Sequence, residues 1–300
     1  MIVSSTRTVS VIVPSFGHQD FIQEALSSIY NQTYHDIEIV FIDDCSSDQT
    51  FERGAALLKS SDFVRRFKRI HVERNETNMG AHATINKGIA VSRGDYIAII
   101  NSDDRYHADR LSRLIDGMTA SSSEFGFSLV KPFSNESTQD FPDNIRMIGV
   151  NQLLALERDP TVGFSLLRGN QAISTGNFVF TRRLYELVGP FLPLRYCHDW
   201  DFALQALYFT EPYVAKDALY EYRLHGSNSF SGLQHVAEVE TEAVIRRFLQ
   251  SAARGNAPNL LAPTATNWPG LFEIFIRECG FERFYAIENG LGMSSWRIYD

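Results

Sequence analysis

Four short apolar runs, each breaking off into polar or turn residues, occupy the first hundred positions and constrain the fold more than any other feature. Val9-Ser10-Val11-Ile12-Val13 stops at Pro14-Ser15-Phe16-Gly17, and Ile37 to Ile42 stops at Asp43-Asp44. Arg69-Ile70-His71-Val72 leads into the turn chemistry of Asn75 to Gly80, and Tyr96 to Ile100 stops at Asn101-Ser102-Asp103-Asp104. Short β-branched runs that are apolar on both faces mark buried parallel strands. Between them the apolar residues fall at helical spacing. Ile22, Ala25, Leu26 and Ile29 predict one helix, Ser46-Ser47-Asp48 offers caps for a second through Leu58, and a third runs from Gly80 to Val91. The order βαβαβαβ specifies a mostly parallel sheet with right-handed crossovers and helices on both faces.

Ligands of such sheets bind beyond the carboxyl ends of the strands. Phe16, Asp43-Asp44, the Asn78-Met79-Gly80 turn and Asp103-Asp104 all lie just past those ends, so four loops converge on one rim. After Asp104 the pattern loosens into a helix over Ala108 to Met118, a strand over Phe125 to Val130 and a polar surface stretch from Ser134 to Asn144. A strand at Asn177 to Phe180 follows, then a helix capped by Thr181 and ending at Gly189-Pro190. Next come a helix over Asp199 to Phe209 and a strand over Tyr213 to Tyr222. Beyond Ser231 the pattern is helical, with an amphipathic segment from Val236 to Leu249 and a Pro-marked connector from Ala257 to Pro269. A last aromatic helix covers Leu271 to Cys279. The aromatic stretch from Leu271 to Tyr285 is expected to pack on the core, with membrane or partner contact as the alternative.

Charge narrows the partners. Lys and Arg total 28 against 36 Asp and Glu, a formal net charge of -8, which argues against broad nucleic-acid binding. Any phosphate the protein handles then needs a metal or a local donor cluster. Cys45, Cys197 and Cys279 form no CxxC pair, so neither a disulfide framework nor a zinc site is indicated, and a reducing cytoplasm is the expected location. No apolar run approaches the ~18 residues of a membrane span, which leaves at most a peripheral association at the inner face of a membrane.

Each rim residue has a plain reading beside a chemical one. Asp103-Asp104 either caps the following helix or supplies hard oxygen ligands for Mg2+ or Mn2+, ions that take one or two carboxylates plus phosphate oxygens. Asp48 caps its helix, which leaves Asp44 spare. As an acceptor-only group, Asp44 favours a base with a ring N–H, such as uracil, thymine or guanine. Phe16 either packs in the core or stacks on that base. Asp199 and Asp201 flank Trp200 at a helix start, as an acidic first turn or, for Asp199, as a general base toward a hydroxyl. His225, in a polar loop after a strand, is either solvated or a metal ligand.

Together these segments resemble a family 2 inverting glycosyltransferase of the GT-A fold. The resemblance rests on VSVIVPSFGHQDFIQEALSSIYNQTYHDIEIVFIDDCSSDQT, NMGAHATINKGIA, GDYIAIINSDD, HDWDF and YRLHGSNS, in order over about residues 8 to 230. It implies an α/β GT-A domain over 1–230, with a Rossmann-like nucleotide-sugar half (1–105) and an acceptor half (106–230). A C-terminal helical extension (231–300) would follow. By the same resemblance Asp104 would bind a Mn2+ or Mg2+ ion, with Asp103 close to the ribose and metal and His225 as a further metal or diphosphate contact. Asp44 would contact the base and Phe16 would line its pocket, Pro14, Asn78 and Gly80 completing the nucleotide-binding set. Asp199 would be the catalytic base. Three positions depart from the family pattern: Ser102 replaces the first acid of the DxD-type motif, Ile85 stands where an arginine often precedes Asn86, and His198 replaces the usual Glu before the base.

The expected activity is transfer of a hexose-like sugar from a nucleotide diphosphate, a UDP-sugar above others, to a glycan or lipid-linked acceptor in surface polysaccharide synthesis. A catalytically silent nucleotide- or sugar-binding module is the alternative, and a sugar nucleotidyltransferase is less supported because no Gly-rich loop follows the first strand. The absence of any GxGxxG likewise disfavours a nicotinamide dehydrogenase. The irregular region from Phe125 to Asn177 is expected to set sugar and acceptor.

Overall fold

A computed structural model describes residues 7–135, 142–226, 234–253 and 257–286. The expected stretch from Ser134 to Asn144 lies partly outside them, and Ser227, Asn228 and Ser229 of the YRLHGSNS segment lie outside them. In chain order the elements begin β1 (Val9–Ser15), α1 (Ile22–Tyr30), β2 (Ile37–Asp43), α2 (Thr50–Leu58), α3 (Ser61–Arg66), β3 (Arg69–Arg74), α4 (Ala81–Val91) and β4 (Tyr96–Ile99). They continue as β5 (Arg105–Tyr106), α5 (Arg110–Ser121), β6 (Phe125–Phe133), α6 (Asp143–Arg146), α7 (Ile148–Arg158), α8 (Val162–Arg168), β7 (Val179–Thr181) and α9 (Arg182–Val188). Last come α10 (His198–Ala206), β8 (Tyr213–Arg223), α11 (Gln234–Ala253), α12 (Leu271–Glu278) and α13 (Glu282–Ala286).

One eight-stranded sheet runs β3-β2-β1-β4-β7-β6-β8-β5. The first four strands pair in parallel as the sequence predicts, Val9 opposite Ile37 and opposite Tyr96, and Ile39 opposite Ile70. β7 then runs antiparallel to β4, and β6 antiparallel to β7 but parallel to β8. Strand alternation divides the core between two faces. Ile12, Val40, Ile97 and Ile99 face one side, while Val11, Ile39, Phe41 and Ala98 face the other. The second face is covered by Ile22, Leu26 and Ile29 of α1 and by Leu111, Leu114 and Met118 of α5.

On the first face the cluster reaches into the C-terminal helices. Val244, Ile245, Phe248 and Leu249 of α11 and Phe272, Phe275 and Ile276 of α12 are buried in the same apolar cluster as Ile12 and Phe180. The aromatic stretch therefore packs on the core, with Ile274 left exposed. Among the described residues no helix is long and apolar enough to cross a membrane.

Between α10 and β8, burial pushes the Glu211 carboxyl up to about 7, against hydrogen bonds from the Gly163 and Val162 N–H groups. Gly163 N donates to Oε1 at 3.1 Å, while Oε2 is buried without a partner. The folded state thus holds a proton that the unfolded chain releases near pH 4.5. Stability is full below that pH and is lost as the pH rises toward 7. Glu211→Gln should therefore raise the melting temperature at pH 8 by several degrees and leave it nearly unchanged at pH 4.5. Equal melting shifts at both pH values would contradict the assignment.

Candidate active site

The loops beyond the carboxyl ends of β1, β2 and β4 enclose a cavity of about 880 Å³, closed on its far side by the segments 170–175 and 194–200. That volume suits a nucleotide-sized ligand. Pro14, Phe16, Asp44, Asn78, Gly80, Asp103 and Asp199 all line it, whereas Asp104 and His225, also singled out in the sequence, do not.

Phe16 is 50% exposed, a side chain held out of the core with a face open to the cavity. Asp44 is buried and is not spare, contrary to the sequence expectation. Its Oδ1 accepts from Asn75 Nδ2 and from Met79 N, both at 2.8 Å, and its Oδ2 accepts from Gly80 N at 2.8 Å. The carboxylate ties the 78–80 turn to the end of β2. Gly80 takes φ +86°, a left-handed conformation that suits glycine, where it starts α4. Three of about four acceptor directions are used, and one remains for a ring N–H.

The acidic pair divides sharply. Asp103 lines the cavity and is 9% exposed, whereas Asp104 is 1% exposed and does not line it. Asp104 Oδ2 accepts from the Tyr220 hydroxyl and, at 3.2 Å, from Asn101 Nδ2, while Oδ1 accepts from Arg223 N at 2.8 Å. Burial, then the charge of Asp103, pushes its carboxyl well above the ordinary range despite those donors. The expectation that Asp104 binds a metal is corrected here: both of its oxygens are committed to β8 and to Asn101, and neither faces the cavity. Asp103 is the acid of the pair that lines the cavity. Its Oδ2 lies 3.0 Å from His225 Nε2 and 3.7 Å from His18 Nε2, and its Oδ1 is buried with no hydrogen-bond partner. Burial raises the Asp103 carboxyl, but the His225 hydrogen bond and the two histidines outweigh it and hold it below its ordinary value. For His18, burial dominates and lowers the imidazole, so it is neutral at pH 7 with a lone pair to offer. An orphaned carboxylate oxygen beside two imidazoles suits a divalent cation.

Asp199 opens α10 and is 8% exposed on the cavity wall. Its Oδ1 accepts from Trp200 N at 2.7 Å and its Oδ2 from Asn170 Nδ2 at 3.0 Å. Burial pushes its carboxyl up, with His198 and these donors pulling the other way. Asp201 does not line the cavity and forms an ion pair with Arg247 of α11. The helix-start loop is held by another α11 residue: Glu240, 2% exposed, accepts from the N–H groups of Arg195, Tyr196 and Cys197 at 2.8, 2.8 and 2.9 Å. Ile173, between Asn170 and Ser174, takes φ +71°, a strained conformation for a β-branched residue on the cavity wall.

Several of these residues escape sequence reasoning. His18 shares a loop with Phe16, which was its one signal. Asn170, Ile173 and Glu240 become site residues only through tertiary contacts. Of the three departures, Ile85 is buried on the wall, Ser102 bonds His18, and His198 Nε2 lies 3.0 Å from Thr175 Oγ1.

Residues 10–186 match the sequence model described as Glycosyl transferase family 2. The chain belongs to that family. TuaG of Bacillus subtilis (strain 168), named for teichuronic acid biosynthesis, is 33% identical over 120 residues, which make up 40% of this chain and 45% of TuaG. The chain thus spans less than half of that relative's length. Among solved structures, S. aureus TarS 1-349 in complex with UDP-GlcNAc superposes with a TM-score of 0.66 at 17% identity, covering 95% of this chain and 76% of TarS. The mannosyltransferase PcManGT of Pyrobaculum calidifontis, in complex with GDP-Man and Mn2+, gives 0.61 at 16%, covering 96% and 77%. The fold is GT-A, as the resemblance implied.

The division between the two acids is open to a melting experiment. Asp104→Ala leaves the Tyr220 hydroxyl and the Arg223 N–H buried without acceptors, at ~1–3 kcal/mol each, and should lower the melting temperature by several degrees. Asp103→Asn should leave it almost unchanged. Equal losses in the two variants would show that Asp103 is structural as well.

Proposed function

We propose that this protein is a metal-dependent inverting glycosyltransferase that moves a sugar from a nucleotide diphosphate donor, a UDP-sugar above others, to a hydroxyl of a glycan or lipid-linked acceptor. The observation that carries the reading is the meeting, in one cavity, of the exposed aromatic Phe16, Asp44, Asp103 and the buried carboxylate of Asp199, with His225 behind Asp103 at 3.0 Å. The UDP-GlcNAc complex of TarS supports a nucleotide-sugar donor, and the Mn2+ complex of PcManGT supports a cation. The name of TuaG favours a surface polymer as the destination. We assign the work to the cytoplasmic side, with at most peripheral contact to the membrane.

In this mechanism the base stacks on Phe16 and its ring N–H meets Asp44, with Pro14, Asn78 and Gly80 shaping the pocket. A cation held by Asp103 and His225 would supply positive charge to the diphosphate leaving group. Asp199 takes the proton of the acceptor hydroxyl as its oxygen bonds to the anomeric carbon, and the bond from that carbon to the diphosphate oxygen breaks with its electron pair leaving on the diphosphate. One in-line displacement inverts the centre without a covalent enzyme intermediate. Asn170 and Trp200 N fix the orientation of Asp199, and burial raises its basicity.

Asp199→Asn tests the core of this reading against a panel of nucleotide sugars. Transfer should fall by roughly 10²- to 10⁴-fold with UDP affinity nearly unchanged. Because Asp199 must be ionised and its carboxyl is shifted upward, kcat/KM of the wild type should fall with acidification at a pH above the ordinary aspartate value, and the variant should lack that limb. Asp201→Asn should cost stability through Arg247 and spare the chemistry. Retained transfer in Asp199→Asn sinks the single-base mechanism, and no product from any donor leaves the silent binding module.

Base selection gives a separate check. UDP should bind at least tenfold more tightly than CDP or ADP in calorimetric titrations, and Asp44→Ala should flatten that preference. Equal affinities in the wild type would remove Asp44 from base recognition.

A further inference from the structure

Three side chains from distant parts of the chain meet beside the cavity: His18 from the loop after β1 and Asp103 from the loop after β4, which both line it, and His225 from the loop after β8. One nitrogen of each imidazole and one oxygen of Asp103 all lie within 4.8 Å of one another. His18 Nε2 stands 3.7 Å from Asp103 Oδ2, too far for a hydrogen bond, so His18 is not placed there to satisfy the carboxylate. Its ring is oriented from the other side, by the 2.7 Å contact between Nδ1 and Ser102 Oγ. That contact leaves Nε2 aimed at the corner where Asp103 Oδ1 is buried without a partner.

We propose that His18 is a third protein ligand to the cation, completing a two-imidazole, one-carboxylate set that selects Mn2+, Co2+ or Zn2+ over Mg2+. This rests on the reading of Asp103 and His225 as a cation site. The two histidine nitrogens stand 3.0 and 3.7 Å from the same Asp103 oxygen and all three atoms lie within 4.8 Å of one another, close enough for one ion to be shared after a modest adjustment of the side chains. Imidazole nitrogen suits borderline transition ions, whereas Mg2+ prefers oxygen and keeps its waters. The sequence lacks an acid at position 102, and Ser102 is the residue that holds His18. Nitrogen from the β1 loop thus stands where an oxygen-rich motif would have offered another carboxylate. Ser102 Oγ can accept from Nδ1–H in the tautomer that leaves the Nε2 lone pair for the ion, an outer hydrogen bond of the kind usual for metal-bound histidine.

The test needs neither donor nor turnover. The full chain is titrated calorimetrically with MnCl2 and MgCl2, and Mn2+-bound protein is examined by electron spin echo envelope modulation, which counts ligating histidine nitrogens. The wild type should bind Mn2+ at least tenfold more tightly than Mg2+ and show two nitrogens. His18→Ala should show one, lose at least fivefold in Mn2+ affinity and keep its Mg2+ affinity. The main-chain N–H of residue 18, which donates to Thr50 Oγ1 at 2.8 Å, survives that change. Ser102→Ala, which frees the ring without removing it, should weaken Mn2+ less than His18→Ala and provides a second measurement should the alanine variant at 18 fail to fold. Two nitrogens and unchanged Mn2+ affinity in His18→Ala overturn the proposal, as does an unchanged affinity in Ser102→Ala. Asp103→Asn and His225→Ala separate the two levels. If both lose Mn2+ while His18→Ala does not, only the third ligand is wrong; if neither loses it, the cation site itself is misplaced.

Discussion

A single buried carboxylate joins strands that never touch. β4 and β8 are separated in the sheet by β7 and β6, yet Asp104 beyond the end of β4 accepts from the Tyr220 hydroxyl and the Arg223 N–H of β8. Arg223 Nε returns the contact at 2.6 Å to the Asp103 carbonyl. Asp103 and His225 therefore sit on either side of a fixed tie. Gly176 belongs to the same device, since a methyl group there would come within 1.9 Å of the Tyr220 oxygen and 2.9 Å of Asn101 N. Burying a carboxyl is costly, and here hydrogen bonds from Tyr220, Arg223 and Asn101 offset part of that cost.

The first hundred residues were readable because buried parallel strands write themselves as unbroken apolar runs with polar ends. β1, β2 and β4 are buried along nearly their whole lengths. The region from Phe125 to Asn177 was not readable in the same way. α7 and α8 lie in a stretch that sequence periodicity left irregular, and α7 exposes Val150 and Leu154, which blurs its apolar face. β5 is two residues long and exists through its pairing with Tyr220 and Glu221. The antiparallel direction of β7 is likewise a tertiary fact, since a three-residue apolar strand reads alike either way.

Within the site, residue types were legible and directions were not. Asp103 and Asp104 are chemically identical neighbours in the turn between β4 and β5, where no strand alternation assigns their directions, so only the fold tells which one lines the cavity. The carboxylates that line the cavity also serve as backbone acceptors: Asp44 holds the 78–80 turn, and Asp199 binds the N–H of the residue that follows it. A sequence shows each acid once and does not reveal that it has two duties. That is why Asp44 read as spare, and why the cap reading and the base reading of Asp199 are compatible.

Glu240 carries a consequence for the order in which the chain is made. The side of the cavity formed by Pro14, Phe16 and Asp44 is built from residues early in the sequence, but the loop ahead of Asp199 is fastened by three N–H groups to a side chain on α11. A polypeptide growing from its amino end completes the first four strands long before Glu240 exists. During that interval the chain has the strand-end loops of its cavity and no anchored loop ahead of Asp199. Synthesis thus supplies one side of the cavity before the helix that fastens the other, and α11 closes the interval.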